Sequence, residues 1–415
     1  EMVKWSDAVV GDYNHYFDLN AMLHGMAVGQ PWRVSVLVDE AHNLVERARK
    51  MYTAELDQES LGAARRSAPA VVKKALDRLH KSWNATHQGQ PDDYQVHAQV
   101  PEAFMFTLQQ ATNTVTEHLS EHPTLVDEAL QNFYFEALHF TRLSESFGEH
   151  SLFDLTRHGK QSTLCIRNVV PASFLKQRFA NAHSVTLFSA TLRPQQFYGD
   201  LLGLPHNTAW IDVDSPFSHE QLTVQVAAHI STRYQHRQAS LAPVVDVMAR
   251  QYEQQPGNYL AFFSSFDYLD EVAKLWAARM PQITTWKQSR RMSEGDQAQF
   301  LARFTEEGQG MGFAVLGGSF AEGIDLAGQR LIGAFIATLG LPQVNPVNEQ
   351  IRLRMADLFG DGYAYTYLYP GLQKVVQAAG RVIRTQTDRG VVHLMDDRFG
   401  RPEVRGLLPA WWRLG

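Results

Sequence analysis

Two separated segments of this chain carry residue types suited to phosphate chemistry. Asp39-Glu40-Ala41-His42 follows the apolar run at residues 34–38. Mg²⁺ is a hard cation that prefers oxygen ligands and keeps several waters while touching one or two carboxylates and a phosphate. Asp39 suits that task, mostly through water, and Glu40 beside it can orient and deprotonate an attacking water. His42 is placed to couple such a site to its neighbours. The plainer reading is a helix start with acids at its positive end. Far downstream stands Gln377-Ala378-Ala379-Gly380-Arg381-Val382-Ile383-Arg384. On a helix, Gln377, Arg381 and Arg384 share one face, being spaced i, i+4, i+7. Arginine offers a planar, permanently charged fork for phosphate oxygens. A positioned arginine stabilises the charge that builds on a transferring γ-phosphate. A surface helix pairing with acids is the competing reading. Together the two segments point to an NTP-driven nucleic-acid motor.

Weaker segments lie between and beyond them. Ser189-Ala190-Thr191-Leu192 ends a strand-like run, and Ser189 and Thr191 could relay nucleotide state to Glu40 or His42 by hydrogen bonds; an ordinary turn explains them as well. In Gly317-Gly318-Ser319-Phe320-Ala321-Glu322-Gly323-Ile324-Asp325 the glycines allow close backbone approach. Ser319 and backbone amides there could hold a DNA phosphate. Glu322 and Asp325 could bind a ribose or pair with an arginine. Ser264, in Phe262-Phe263-Ser264-Ser265-Phe266, could contact phosphate, while the phenylalanines suit a core. Asp396-Asp397-Arg398-Phe399 is expected to brace the arginine helix. Trp411-Trp412 reads as an anchor for the tail. His118 and His122 have helical spacing, but Glu121 is not arranged as in a zinc protease, and a solvated face is the better account.

These residues need sheets to carry them. At 415 residues the chain is long enough for two or three domains. Its 44% hydrophobic and 20% charged content is that of a globular protein. Residues 8–10 and 34–38 suit buried parallel strands, which are apolar on both faces. From 54 to 159 strand-like runs vanish, and residues 63–81, 101–119 and 125–143 carry apolar positions at helical spacing. This reads as a helical insertion, with Phe133, Tyr134, Phe135 and Phe140 in its core. Residues 163–166 and 184–188 are assigned to the same sheet as 34–38. Beyond 205, strand candidates at 223–228, 258–263, 312–316, 331–338, 364–368 and 390–394 alternate with several helical patterns, the signature of a parallel sheet covered by helices.

One cysteine, Cys165, excludes an internal disulfide or a four-cysteine metal site within these residues, and a reducing cytoplasm is the simplest setting. No run approaches the length of a membrane span. The net charge of −6 means that any nucleic-acid surface must be a local basic track.

The ordered set resembles the XPD/DinG branch of the superfamily 2 helicases. Residues 38–44 resemble its motif II, Ser189–Leu192 motif III, Phe262–Phe266 motif IV and Gly317–Asp325 motif V. Residues 377–384, with 396–399, resemble motif VI, and the segment with Asn14-His15 resembles the region just before motif II. The resemblance implies an α/β fold with two RecA-like parallel-sheet domains and a helical Arch-like insertion in the first. On that plan 1–53 and 160–204 form the first motor domain, 54–159 the insertion and 205–415 the second motor domain. It implies an ATP-dependent DNA helicase, using ATP and Mg²⁺, moving 5′ to 3′ on single-stranded and forked DNA, often in DNA repair, as a monomer. Glu40, Asp39, Gln377, Arg381 and Arg384 would be catalytic, and His42, Gly323 and Asp325 would contact the nucleotide. Asn14, Ser264 and Ser319 would contact DNA, and Ser189 and Thr191 would couple the sites. Two departures stand out. No Gly-x-x-x-x-Gly-Lys-Ser/Thr phosphate loop occurs here, and no four-cysteine cluster. In this family both precede motif II, so the chain is expected to be a fragment, and a 4Fe-4S cluster can lie only in a preceding region. ATP-dependent unwinding is not expected from these residues alone. Other readings are an ATPase-inactive DNA-binding or assembly scaffold and a motor on RNA–DNA hybrids, since no residue here identifies a 2′-OH reader.

Overall fold

A computed structural model describes residues 2–90, 92–122, 127–320 and 324–415. The chain divides into two compact units, Glu1–Thr208 and Ala209–Gly415. Each is α/β, and no helix among the described residues is long and apolar enough to cross a membrane.

The strands of the first unit are β1 (Ser35–Val38), β2 (Ala54–Asp57), β3 (Tyr94–His97), β4 (Ser151–His158), β5 (Gln161–Asn168) and β6 (Ser184–Leu187). β1 and β6 pair in parallel as a two-stranded sheet, with Val38 opposite Leu187. Among the described residues each has a strand neighbour on one side only. The burial expected of a doubly covered strand is therefore not reached: Val38 is buried, but Leu37 is 72% exposed. Residues 8–10, expected to form a buried strand, form none, and Val10 is fully exposed.

The remaining four strands correct the expected plan. Residues 163–166 do not join β1. They lie in β5, within an antiparallel sheet of order β2-β5-β4-β3, where Ala54 pairs with Ile166. The insertion is thus a lobe of helices on its own sheet, because β4 and β5 pair with each other along their whole length and with β2 at its base. Its helices are Gln58–Ser67, Ala70–Thr86, Glu102–Glu121 and Glu128–Glu145. The helix expected at 63–81 breaks where Pro69 caps the second of them, since the residue before proline avoids the helical region. Pro123 and Leu125 lie outside the described residues. The lobe has its own core: Trp83, Phe104, Phe140 and Phe153 are fully buried, and the Trp83 indole donates to Ser162 Oγ at 2.8 Å. Phe133 joins them, whereas Phe135 is 56% exposed.

The second unit contains β7 (Leu222–Val226), β8 (Asn258–Phe263), β9 (Thr284–Lys287), β10 (Gly310–Val315), β11 (Gly333–Ala337), β12 (Gly390–Leu394) and β13 (Arg413–Leu414). They form one parallel sheet of order β13-β7-β12-β11-β8-β10-β9. Alternate residues feed two cores: Leu260 and Phe262 face one, Tyr259, Ala261 and Phe263 the other. That is why β8 reads as an unbroken apolar run. Trp412 is buried in the first of these cores, so the tail is anchored as expected. Residues 364–368, expected as a strand, form a π-helical turn leading into helix Tyr369–Ala379. Pro370 has no N–H to return to the Thr366 carbonyl, and the wider turn falls at that point.

His393 on β12 is buried, 3.0 Å from Gln251 Oε1 and stacked on Phe335. Burial pushes its imidazole down to about 4, and nearby Arg250 adds to the effect. Folding therefore favours the neutral ring. The stabilisation is complete above the ordinary histidine value near 6.5 and is lost as pH falls through 4. The unfolding free energy should drop by up to about 3 kcal/mol across that window. Urea unfolding from pH 7 to 4 checks this, and His393→Leu should flatten the slope. Equal slopes in both proteins would assign the pH dependence elsewhere.

Candidate active site

The parallel pairing of β1 with β6 delivers two chain exits to one sheet edge. Phe188 N donates to Val38 O at 3.0 Å, and Ala41 N donates to Phe188 O at 3.1 Å. Glu40 and Ser189 thereby become neighbours although distant in sequence. Glu40 has φ 46° and ψ 43°, the left-handed region that costs an L side chain about 1–2 kcal/mol. Side chains hold this turn. The Tyr13 hydroxyl lies 2.5 Å from Asp39 O and 2.9 Å from Glu40 O, sharing its proton between two carbonyls. Asp39 Oδ1 accepts from Glu40 N at 2.7 Å.

Around the Glu40 carboxylate the polar groups interlock. Ser189 Oγ lies 3.2 Å from Glu40 Oε2 and 2.6 Å from His42 Nδ1. Thr191 N donates to the same Oγ at 3.2 Å. A proton on His42 Nδ1 satisfies the set: the ring and the Thr191 amide donate to Ser189, which donates to Glu40. His42 is buried behind the site, while the Glu40 side chain is 58% exposed. The carboxylate is held from behind and open in front, the arrangement a general base for water requires. Asp39 and Glu40 supply hard oxygen donors, which fits Mg²⁺.

The second unit assembles a separate cluster. Helix Tyr369–Ala379 ends at Gly380, so Gln377 lies in its last turn and Arg381 and Arg384 lie beyond it. The single helical face expected from their spacing does not form. Instead Asp388 Oδ2 accepts from the Arg384 and Thr385 amides at 2.7 and 2.8 Å and shapes the turn. Burial opposes ionisation of Asp388, but the Thr385 hydroxyl, which donates to Oδ1 at 2.5 Å, and these amides outweigh it, and its carboxyl falls below the ordinary range. The turn aims both arginines at the glycine-rich segment: Arg381 Nη1 donates to Ile324 O at 3.1 Å and Arg384 Nε to Asp325 Oδ1 at 3.0 Å. Asp388 was not singled out from the sequence, and its place three residues after Thr385 is the only signal. Glu322 and Gly323 lie outside the described residues. Gly317 has φ 81°, and a Cβ there would sit 3.3 Å from Lys374 of helix Tyr369–Ala379. Ser319 is exposed in the same loop.

The motif containing Asp396 shares a core with helix Tyr369–Ala379 through Phe399, as expected, and its acids also tie down residues 232–233. Asp396 Oδ2 accepts from Thr232 N at 3.0 Å, Asp397 pairs with Arg233 at 2.6 Å, and Phe399 packs in the core with Val375 and Ala378. Burial pushes the Asp396 carboxyl up, but the bonds from Arg398 and Thr232 bring it below the ordinary range.

Ser265 caps helix Phe266–Arg279 by accepting from Tyr268 N at 3.2 Å, which leaves Ser264 exposed beside it. Arg237 Nη2 donates to Ser264 at 3.1 Å, and its guanidinium lies over Tyr234 and Tyr268 at 5.4 and 5.1 Å. Tyr234 is 83% exposed. This aromatic–cation pair was missed, although the alternation in Arg233-Tyr234-Gln235-His236-Arg237 announces it. Asn14 lines a cavity of about 600 Å³ in the first unit, walled also by Arg47, Lys50, Phe135, His139 and Arg142.

Residues 248–415 match the family model described as a helicase C-terminal domain. The ATP-dependent DNA helicase XPD of Sulfolobus acidocaldarius is 21% identical over 88% of this chain and 65% of its own length. The solved structure of S. tokodaii Xpd4 matches 97% of this chain and 81% of that one, with TM-score 0.63 and 16% identity. Residues 248–415 therefore carry a helicase C-terminal domain, and the chain as a whole is similar to XPD-type helicases in sequence and in fold. A probable ATP-dependent helicase of Methanocaldococcus jannaschii is 27% identical over 57% of this XPD/DinG-like chain and 38% of its own length. The chain therefore spans between 38% and 65% of these two relatives. The α/β fold with parallel sheets is that of the family's RecA-like domains.

Proposed function

We propose that this chain carries the motor of an ATP-dependent DNA helicase that moves 5′ to 3′ on single-stranded DNA and opens duplex. The supporting observation is the Glu40 carboxylate, gripped by Ser189 and backed by buried His42, at the end of a parallel strand. In this reading Asp39 holds Mg²⁺ through water, and the ion offsets phosphate charge when bound. Glu40 orients the attacking water and takes its proton. Arg381 and Arg384 stabilise the γ-phosphate, with Gln377 beside them. Asp325 aligns Arg384 and, with His42 and Gly323, borders the nucleotide. Ser189 and Thr191 report its state along their bonds to Glu40 and His42. Lacking a phosphate loop, the 415 residues hydrolyse ATP only together with a segment that supplies one.

DNA would contact Ser264 and Ser319 in the second unit and, in the first, the cavity beside Asn14. Arg47, Lys50 and Arg142 supply the local basic surface that a chain of net charge −6 needs. The lobe inserted after residue 53 plays the Arch-like part, keeping separated strands apart. Its structural limits run past residue 159, because β5 closes its sheet. The ends of a longer excision lie together: Asn168 N donates to Thr53 Oγ1 at 3.0 Å. Replacing residues 54–167 by a short Gly/Ser linker in the full-length protein should therefore leave the β1–β6 sheet intact. ATP hydrolysis should persist while strand separation per ATP consumed fails. The assay is hydrolysis and unwinding side by side on 5′-tailed and 3′-tailed duplexes. Activity on the 3′ tail alone would reverse the polarity, and normal unwinding by the excised protein would remove the lobe from strand separation.

A further inference from the structure

We propose that Tyr13 is a positioning residue that couples occupation of the neighbouring cavity to hydrolysis at Glu40. The inference rests on the reading of the chain as a strand-driven motor. Its geometry is local to the first unit. The Tyr13 hydroxyl spans the carbonyls of Asp39 and Glu40, the two residues of the hydrolytic turn. The next residue, Asn14, lines the cavity. The turn is gripped from its other side as well. It runs into helix Leu44–Met51, whose exposed Arg47 and Lys50 form another wall of the same cavity. Arg47 also reaches back to Asp12 at 3.9 Å, joining the two grips. The turn is thus clamped between two elements that both face one basic cavity.

The turn is also one that such a clamp can move. Glu40 adopts a left-handed backbone, φ 46°, which a side-chain-bearing residue keeps only when its surroundings impose it. A phosphodiester drawn to Asn14, Arg47 and Lys50 pulls on both sides of that turn. A small shift of the Tyr13 oxygen re-aims the Glu40 carboxylate relative to Ser189. The phenol stays a donor throughout: burial, with the charges of Glu40, Asp39 and Asp12 against that of Arg47, pushes it up to about 12.

Tyr13→Phe in the full-length protein removes one oxygen and tests this. ATP turnover is measured with and without oligo-dT, alongside the KM for ATP, the oligo-dT affinity and the thermal midpoint. Loss of one such hydrogen bond should cut the ratio of stimulated to basal turnover by roughly 3- to 10-fold. KM, oligo-dT affinity and midpoint should stay near the parent's. Approached from the cavity, Asn14→Ala should raise the oligo-dT concentration that gives half-maximal stimulation; no change there removes the cavity from the coupling. A stimulation ratio equal to the parent's, or an equal loss with and without oligo-dT, would reduce Tyr13 to a static cap and overturn the inference alone. A full-length parent that oligo-dT does not stimulate would overturn the motor reading, and the inference with it.

Discussion

Glu40→Gln in the full-length protein should lower ATP turnover at least about a hundredfold while ATP still binds, as loss of a general base typically does. The substitution keeps the side chain's shape and its ability to accept from Ser189 Oγ, now 3.2 Å from Glu40 Oε2. It removes only the capacity to take a proton. Because Glu40 is 58% exposed at its side chain, the change leaves no buried charge unpaired behind it, and His42 keeps Ser189 at 2.6 Å. The thermal midpoint should therefore stay close to the parent's. Single-turnover hydrolysis with separately measured nucleotide affinity distinguishes the outcomes. A variant that binds ATP normally and turns over near the parent's rate would strip Glu40 of the role of base. A variant that fails to bind would recast the turn as part of the nucleotide cradle.

Arg384→Ala should cost about a thousandfold or more in turnover, the scale of a transition-state arginine. Asp325 takes the Nε of this residue at 3.0 Å, so the fork keeps its Nη groups for phosphate oxygens. The Asp388 bond to the Arg384 amide fixes where the side chain starts. Arg384→Lys should not restore activity, because an ammonium carries the charge without the fork and cannot reproduce the bond to Asp325 in the same geometry. Asp325→Asn should weaken turnover less, since it loosens the aim and keeps the charge. Arg381→Ala should fall in the range of Arg384→Ala. The discriminating quantity is the single-turnover rate at saturating ATP. If Arg384→Ala raised KM alone, the residue would serve binding of the ground state and not the transition state.

Much of this was legible in the residues. The acidic pair, the arginines and the glycine-rich segment carry their chemistry in side-chain type and order. Strands such as Asn258–Phe263 and Gly390–Leu394 were bounded correctly because unbroken apolar runs between turn residues have few other solutions. Phe133 and Phe140 were placed in a core by their spacing alone. Tertiary structure decided the rest, for reasons that no local pattern contains. An apolar run such as 163–166 says that a strand is buried but not which sheet buries it. Ile166 pairs with Phe153 on one side and Ala54 on the other, and only chain folding brings the Ala54 strand alongside. The spacing of Gln377, Arg381 and Arg384 fits a helical face, yet the helix stops at Gly380, and Asp388 bends the following turn until the arginines meet Ile324 and Asp325. Tyr13 carries no sequence signal at all, since one phenol among 14 tyrosines meets the carbonyls of Asp39 and Glu40 only when folding sets it there. The sequence by itself determined which groups could do the chemistry; the tertiary structure decided which of them are held in place, because hydrogen bonds between residues distant in the chain exist only once the sheets have formed.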